Sequence, residues 1–173
     1  MKTISIVGEN YFGHWEHSRT ACRGIVIRDG QILLTYETET GQWMIPGGGL
    51  EGSEDEQACC IREVAEETGF LIQPSACVLE LDEYYEDWRY VSRYFFGEVT
   101  GRTEIKLTWR EKETGTEPRW LPVKEAIDIF SRHASWADTD EMRRGIYQRE
   151  YMALCELAGG KAMIQPQSSE QSE

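Results

Sequence analysis

Three consecutive glycines followed at once by a short acidic helix constrain this chain more than any other part of its sequence. Residues 47–49 are all glycine, and the Ser53 and Glu56 pair that follows predicts a capping box. The box places the helix start at Glu54, and Gly69 suits the left-handed position just past a helix end, so a helix of about four turns is predicted. Because glycine has no side chain, the backbone before this helix can approach a metal ion or a phosphate closely.

Three carboxylates share one face of the predicted helix. At 100° per residue, Glu63, Glu66 and Glu67 fall within an arc of about 100°. Carboxylates this close repel one another and raise one another's pKa unless a cation neutralises them, and Mg²⁺ or Mn²⁺ binds carboxylate and carbonyl oxygens. Taken alone, a solvated acidic face and an ordinary glycine turn explain the same residues, so both interpretations stay open at this point.

The whole stretch resembles the signature sequence of the Nudix hydrolases. That signature reads glycine, five residues, glutamate, seven residues, arginine-glutamate, an aliphatic residue, any residue, glutamate-glutamate, any residue, glycine and an apolar residue. Every fixed position is filled at the matching spacing, by Gly48, Glu54, Arg62, Glu63, Val64, Glu66, Glu67, Gly69 and Phe70. The segments WMIPGG before it and RWLPVKEA after it are also similar to that family.

The resemblance implies both a fold and a reaction. The fold is an α/β/α sandwich around a mixed central sheet with antiparallel and parallel strands, followed by a C-terminal helix. The reaction is hydrolysis of a diphosphate bond in a nucleoside diphosphate linked to another moiety, with Mg²⁺ (or Mn²⁺) as cofactor. Carried over residue by residue, Glu63, Glu66 and Glu67 are the expected metal ligands with the Gly47 carbonyl, and Arg62 is expected to hold the glutamates in place.

The general base and the substrate contacts lie outside the signature. Some family members use a signature glutamate as base and others an acid from a downstream loop, for which Glu113 is preferred here over Glu111 and Glu117. Several aromatic side chains are candidates for stacking on a base, and two arginines for contacting phosphate, although core packing competes for each aromatic residue. These candidates are Tyr84, Tyr85, Trp88 and Tyr90, with Arg23 and Arg89.

Turns and apolar segments predict a single α/β domain over residues 1–160 and a disordered tail over residues 161–173. Asp29-Gly30 predicts a hairpin, and Ala58, Ile61 and Ala65 predict the face of the acidic helix that packs on a sheet. The other predicted elements are strands at residues 3–7 and in ACVLELDEYY, WRYVSRYFFGEVTG and PRWLPV, a chain break at residues 46–49, a polar loop in REKETGTE, and a helix from Val123 to Ser131.

A second long helix is predicted from about Thr139 to Ala158, with Asp138 and Glu141 as its cap pair. Its apolar positions are loosely spaced, which predicts a place at the periphery or on a partner chain, and a homodimer through it stays open. The five cysteines form no CxxC pair and indicate free thiols in a reducing cytoplasm.

Net charge and hydropathy limit the classes of partner that we expect the chain to bind. A net charge of −13, from 31 acidic and 18 basic residues, argues against binding along a nucleic-acid backbone, and no apolar run is long enough to suggest a membrane span. The resemblance to the Nudix hydrolases implies a small-molecule nucleotide or other diphosphate as the partner. Two alternatives remain: a hydrolase of a non-nucleotide diphosphate such as an isoprenoid or sugar diphosphate, and a ligand-sensing module that kept the fold.

Overall fold

A computed structural model describes residues 1–159, which form ten strands, four α-helices and one 3₁₀ helix. The strands are β1 Lys2–Val7, β2 His17–Ile25, β3 Ile27–Arg28, β4 Gln31–Glu37, β5 Trp43–Met44, β6 Gly47–Gly49, β7 Phe70–Pro74, β8 Leu79–Tyr85, β9 Trp88–Arg102 and β10 Thr116–Pro122. The helices are α1 Glu56–Thr68, α2 Trp109–Thr114, α3 Val123–Ser131, α4 Glu141–Gly159 and the 3₁₀ helix His133–Trp136.

The strands form two sheets that bring distant parts of the chain together. The larger sheet has six strands in the order β1-β8-β9-β2-β6, with β7 paired to β9, and the smaller has β10-β4-β3 with β5 paired to β4. In the larger sheet β2 runs parallel to β9 and antiparallel to β6, and β8 runs parallel to β1 and antiparallel to β9. The predicted mixed sheet is therefore confirmed.

The hairpin predicted at Asp29-Gly30 connects β3 and β4. Both residues have positive φ, 52° and 75°, as a two-residue hairpin turn requires. The strand β4 then runs through the centre of the smaller sheet, where Ile32, Leu33 and Leu34 are fully buried. Side chains alternate across a strand, so these residues contribute to two different apolar clusters.

Helices cover both faces of the larger sheet. On one face α1 buries Cys60 and Val64 against Phe95 of β9. On the other face α3 and α4 pack their Phe130 and Leu154 with Leu81 of β8. This arrangement is an α/β fold with a C-terminal helix, as predicted.

The C-terminal helix differs from its prediction in position and in start. Its residues Tyr147, Ala153 and Leu154 are buried in the core, so the predicted place at the periphery is wrong. The cap is Asp140, whose carboxylate accepts a hydrogen bond from the Arg143 N–H at 3.0 Å. Because the apolar side chains of α4 pack within the chain, the homodimer loses the observation that suggested it and stays a prediction.

Three further segments differ from the sequence-based expectation. The glycines at residues 47–49 do not break the chain but form the edge strand β6, because glycine allows a close antiparallel pairing with β2. The predicted polar loop contains α2, which Thr108 and Glu111 cap reciprocally. The strand β7 follows α1 directly and has no counterpart in the predicted elements.

Residues 161–173 lie outside the described part of the chain, so the predicted tail and the boundary at residue 160 stay predictions. Cys22, Cys59, Cys60, Cys77 and Cys155 are all free, as the sequence indicates. Over residues 1–159, no helix has the length and apolar character that a membrane crossing needs.

Candidate active site

Helix α1 begins two residues later than the sequence predicts. Its N-cap is Asp55 rather than Ser53, and the Asp55 carboxylate accepts a hydrogen bond from the Ala58 N–H at 2.8 Å. The end is as predicted, because Gly69 has a φ of 73° and its N–H donates to the Ala65 carbonyl at 2.9 Å. Both ends of the acidic helix are therefore fixed by local contacts.

The face of α1 that packs on the sheet is not the predicted one. Cys59, Cys60, Val64, Glu67 and Thr68 are buried, whereas the expected stripe of alanines and isoleucine is only partly buried. The reason is that Cys60 and Val64 pack against β2 at Gly24, while Glu67 lies against the glycine strand. As a result, the carboxyl group of Glu67 is enclosed by protein.

Arg62 connects the acidic residues of α1 to one another. Its guanidinium donates to Glu54 at 2.6 Å, to Glu63 at 2.8 Å and to Glu66 at 3.3 Å. It also donates to the Gly49 carbonyl at 3.1 Å, which ties the helix to β6. The hydrogen bond from Arg62 lowers the pKa of Glu54 to about 2. We call Glu54, Arg62, Glu63, Glu66 and Glu67 the glutamate cluster.

The glycine strand lies against two of these carboxylates. The Gly47 N–H donates to Glu67 at 2.9 Å, and a Cβ on Gly48 would lie 2.5 Å from the Glu63 carboxyl carbon. Gly47 also has a φ of +150°, and a Cβ there would lie 2.2 Å from the Cys22 carbonyl oxygen. A side chain at either position would displace a carboxylate or the neighbouring strand, so this close approach requires glycine.

Burial disfavours negative charge on two of the glutamates. Desolvation, with smaller contributions from nearby Glu63 and Glu111, raises the pKa of Glu67 to about 8 against the hydrogen bond from Gly47. Desolvation also raises the pKa of Glu63 despite its contact with Arg62. Their oxygens are the ligands that hard divalent cations prefer, and a bound cation would reverse both shifts. The donor set therefore fits Mg²⁺ or Mn²⁺.

The carboxylates are not arranged as a finished metal-binding cluster. Among residues 1–159, no three His, Cys, Asp or Glu side chains are grouped closely enough to hold an ion. Arg62 holds Glu63 and Glu66, while Glu67 is turned to the Gly47 N–H. Ion binding would therefore require small side-chain movements within the glutamate cluster.

The glutamate cluster faces a cavity of about 1020 Å³, at the upper end of the size of ligand pockets. Glu63, Glu66 and Glu67 line one wall with β6. Other strands of the larger sheet and α4 also line the cavity, and Arg23 and Arg149 are among their lining residues. The cavity is thus bounded by residues from the beginning, middle and end of the described chain.

Some of the residues that line the cavity belong to a group of buried charges that the sequence does not predict. Glu150 is fully buried, accepts from Arg149 at 2.8 Å and from the Tyr94 hydroxyl at 3.0 Å, and lies 3.8 Å from Arg23. Arg149 also pairs with Glu83 at 3.5 Å. We call Arg23, Glu83, Tyr94, Arg149 and Glu150 the buried ion-pair network.

The predicted loop acids separate into one that faces the cavity and two that do not. Glu111 lines the cavity at the start of α2. Glu113, the preferred candidate, is exposed outside the lining residues, and Glu117 is hydrogen-bonded to Arg119 at 2.6 Å. Because the two-residue step from Glu111 to Glu113 rotates the helix by about 200°, the structure does not bring Glu113 to the glutamate cluster.

Three of the six candidate substrate contacts line the cavity, namely Arg23, Tyr85 and Tyr90. Tyr84 and Arg89 lie on the opposite face of the sheet, where their side chains donate to Asp82 at 3.1 and 2.8 Å. Strand alternation explains this separation, because neighbouring residues point to opposite faces.

Trp88 does not line the cavity but stacks on Tyr90, which does. The cavity also contains arginines that the sequence reasoning did not single out, namely Arg19, Arg110, Arg144 and Arg149. The alternation of β2 gives a signal for Arg19, since it lies four residues from Arg23 and therefore on the same face of the strand. For Arg149 no local pattern gives such a signal.

Comparison with known proteins decides the family. A family model described as the NUDIX domain matches residues 18–144, which include the glutamate cluster, β6 and most of the cavity. The chain belongs to the Nudix family. The resemblance based on the signature residues is thereby confirmed, and the chain is a Nudix hydrolase.

Two curated relatives illustrate how broad this Nudix family is. The chain is 26% identical over 126 residues to the RNA pyrophosphohydrolase of Dinoroseobacter shibae, covering 68% of this chain and 72% of that protein. It is 28% identical over 106 residues to a human diphosphoinositol polyphosphate phosphohydrolase, covering 61% of this chain and 56% of that protein. The match therefore spans about half the length of the human relative.

A solved structure supports the Nudix fold over a longer stretch. The Nudix hydrolase from Nitrosomonas europaea superimposes with a TM-score of 0.59 at 20% identity, covering 83% of this chain and 89% of that one. At this identity the similarity concerns the fold alone. Members of the family act on nucleoside diphosphates linked to another moiety and generally need divalent cations.

Proposed function

We propose that this Nudix hydrolase uses a divalent cation to cleave a diphosphate bond in a nucleoside triphosphate or a nucleotide conjugate. The observation that carries the proposal is the contact of Glu63 and Glu67 with the glycine strand at the wall of a ligand-sized cavity. Two carboxylates enclosed this closely, with Glu66 beside them, are poorly suited to a merely solvated helix face.

Glu63, Glu66 and Glu67 would hold Mg²⁺ or Mn²⁺, with the Gly47 carbonyl as a further ligand. A bound cation would offset the negative charge of the diphosphate, which a chain with a net charge of −13 otherwise repels. Arg62 acts as a positioning residue, since its guanidinium fixes Glu63 and Glu66 and anchors them to the Gly49 carbonyl.

For the general base we favour Glu111 over Glu113. Glu111 lines the same cavity as Glu63 and Glu67, and its negative charge contributes to the raised pKa of both. A base must come within hydrogen-bond reach of the attacking water, and an exposed side chain outside the cavity lacks that access. In this role Glu111 accepts the proton that the water loses as it attacks phosphorus.

The identity of the moiety attached to the nucleoside diphosphate determines which substrate the enzyme hydrolyses. The relatives act, by their names, on RNA and on diphosphoinositol polyphosphates. The net charge of −13 favours a small molecule over an extended nucleic acid, as the sequence predicts, and a 5′-triphosphate oligonucleotide tests that expectation directly. A cytoplasmic location agrees with five free cysteines and stays a prediction.

The test is a hydrolysis panel with Mg²⁺ and with Mn²⁺. It contains canonical and oxidised nucleoside triphosphates, ADP-ribose, NADH, diadenosine polyphosphates, coenzyme A, nucleotide sugars, a 5′-triphosphate oligonucleotide, a diphosphoinositol phosphate and an isoprenoid diphosphate. Wild type is compared with Glu66→Gln and with a control, Glu125→Gln, which removes an exposed carboxylate of α3.

We expect at least one nucleotide to be hydrolysed by wild type and the control at about 10⁴ M⁻¹s⁻¹ or faster, and by Glu66→Gln far more slowly. If the isoprenoid diphosphate is the one compound hydrolysed, the substrate is a non-nucleotide diphosphate and the proposal of a nucleotide substrate is wrong. No turnover of any compound by protein that still binds Mn²⁺ would favour the ligand-sensing alternative.

A further inference from the structure

Three aromatic rings form a row at one end of the larger sheet. His17 of β2 and Trp88 of β9 are register partners with ring centroids 4.9 Å apart. Trp88 and Tyr90 follow at 5.4 Å with ring planes inclined by only 12°. We call His17, Trp88 and Tyr90 the aromatic row. Residues 88 and 90 share a face of β9, so the row runs along the strand towards the cavity.

Tyr90 is the ring at the cavity end of this row. It lines the cavity and remains 37% exposed, although Trp88 stacks on it. A flat aromatic side chain that is supported from one side and accessible from the other is the kind of surface on which nucleobases stack. Burial raises the pKa of its hydroxyl, so the ring is uncharged near neutral pH.

An arginine lies next to this ring. Arg19 of β2 is the register partner of Tyr90, and a Cβ on Gly49 would lie 2.9 Å from its Nη2. Among residues 1–159, no carboxylate lies within ion-pair distance of Arg19, whereas Arg62 and Arg149 are each paired with glutamates. An anion from a ligand would supply the missing partner.

The distance between Tyr90 and the glycine strand β6 fits one nucleotide. Gly49 and Tyr90 lie on either side of β2 and are offset by two residues, from Ala21 to Arg19. With ordinary strand spacings this separation is ~12 Å. A base stacked on Tyr90 would therefore place its ribose and first phosphate over β2, near Arg19, and its next phosphate near Gly49.

The charge of the cavity points away from highly phosphorylated ligands. Nine glutamates and six arginines line it, and no lysine does. Most of those arginines are already paired with carboxylates, so few cations remain for a ligand with many phosphate groups. A flat apolar base with a short phosphate chain suits this lining better than an inositol ring that bears a phosphate on nearly every carbon.

From these contacts we infer that Tyr90, supported by Trp88, is the stacking platform for the nucleobase of the substrate, and that Arg19 binds the phosphate nearest the ribose. This inference rests on the proposed function and names the residues that bind the base and the first phosphate of its nucleotide substrate. It assigns Tyr90 and Arg19 a role in selecting the substrate, apart from the chemistry at the glutamate cluster.

The test measures binding, so it does not depend on turnover. Dissociation constants for GTP and for inorganic tripolyphosphate, which has no base, are measured with Mg²⁺ by calorimetry at low temperature. The variants are Tyr90→Leu, Tyr90→Phe and Arg19→Gln. The control is Leu71→Ala, which truncates a side chain with the same 37% exposure on β7.

We expect wild type to bind GTP more tightly than tripolyphosphate by about 5- to 150-fold, as one stacked base allows. Tyr90→Leu should lose most of that preference and bind tripolyphosphate normally, whereas Tyr90→Phe and the control should keep it. Arg19→Gln should weaken both ligands, because both carry phosphate.

Equal binding of GTP and tripolyphosphate by wild type, or an unchanged preference in Tyr90→Leu, would overturn the inference. So would an equal loss of both ligands in Tyr90→Leu, since that would indicate a general distortion of the cavity. A failure of the hydrolysis panel, by contrast, counts against the proposed function and leaves the binding preference unaffected.

Discussion

The glutamate cluster and the buried ion-pair network both contribute residues to the same cavity, yet they balance charge differently. The glutamate cluster sets one arginine against four glutamates, and Glu66 retains 38% of its side-chain exposure. The buried network sets two arginines against two glutamates, and Glu150 is fully buried. A charge removed from water needs a partner of opposite sign. The excess negative charge of the glutamate cluster must therefore be neutralised by a ligand from outside, whereas the balanced ion-pair network needs no such ligand.

The difference separates a site that recruits a ligand from a site that holds the fold together. Glu67 reaches the cavity with a carboxyl whose pKa burial raises to about 8, and the cluster offers it no arginine of its own. Glu150 instead joins α4 to β9 through Tyr94 and to β2 through Arg23. Substitutions on the two sides should therefore have different consequences.

The largest expected effect is the loss of the proposed base on the glutamate side. Glu111→Gln should reduce kcat by about 10²–10⁴-fold, because a general base contributes in that range. Glu113→Gln should change kcat less than about twofold, since its side chain is exposed outside the cavity lining. The measurement is kcat with the best substrate of the panel, and a larger loss in Glu113→Gln would return the role to that residue.

A change on the network side should affect stability. Glu150→Gln should lower the free energy of unfolding by about 3–5 kcal/mol, because it leaves two buried arginines short of a partner. Glu156→Gln, on the same helix, removes a partly exposed ion pair with Lys2 and should cost about 0–1 kcal/mol. Urea unfolding of both variants tests this difference. Equal losses would mean that burial of the network contributes nothing.

Metal ions should stabilise the protein only through the glutamate cluster. Mg²⁺ or Mn²⁺ at 100 times its Kd should raise the free energy of unfolding by about 2.7 kcal/mol, and Glu150→Gln should show the same gain. The gain should vanish in the double variant Glu66→Gln, Glu67→Gln. Thermal unfolding with and without EDTA measures it, and a gain that persists in the double variant would place the ion elsewhere.

That gain should also depend on pH. The pKa of Glu67 is raised from 4.5 to about 8, so without metal its carboxyl is mostly protonated at pH 6 and mostly ionised above pH 8. A cation must displace that proton, so metal affinity should increase as pH rises through this window. Titration with Mn²⁺ at pH 6 and at pH 8.5 tests the direction, and equal affinities would exclude Glu67 as a ligand.

The smallest effect is expected when the arginine of the glutamate cluster is replaced conservatively. Arg62→Lys should lower kcat/KM by about 10-fold, because lysine cannot hold Glu54, Glu63 and Glu66 together as the planar guanidinium does. Arg132→Lys alters an exposed arginine paired with Asp128 and serves as the control. If both variants keep wild-type activity, Arg62 does not position the carboxylates.

The same comparison shows which parts of the site can be predicted from the sequence. The glutamate cluster comes from one helix and the turn before it, so helical periodicity and the family signature identify its members together. The exceptions are local and have local causes. Asp55 caps the helix in place of Ser53, Cys60 and Val64 pack against β2 at Gly24, and Glu67 lies against β6.

The buried ion-pair network was beyond that reasoning because its members meet only through the order of the strands. Arg23, Glu83 and Arg149 lie on β2, β8 and α4, and no periodicity of one segment links them. The preference for Glu113 over Glu111 failed to match the observed placement for a related reason. The sequence of the short helix α2 is typical of a polar loop, so it does not predict which of the two acids faces the cavity.

The enclosed carboxyl of Glu67 also has an evolutionary consequence. Burying a carboxyl group lowers the stability of the folded state. A protein that retains such a group for its chemistry is therefore less stable than one with a neutral residue there. If selection for hydrolysis were relaxed, neutral residues of similar size would become acceptable at this position, and the chain would gain robustness as it lost turnover. A single substitution of Glu67 would then stabilise the fold while it removed hydrolysis, and this would be a first step from a hydrolase to a non-catalytic binding domain.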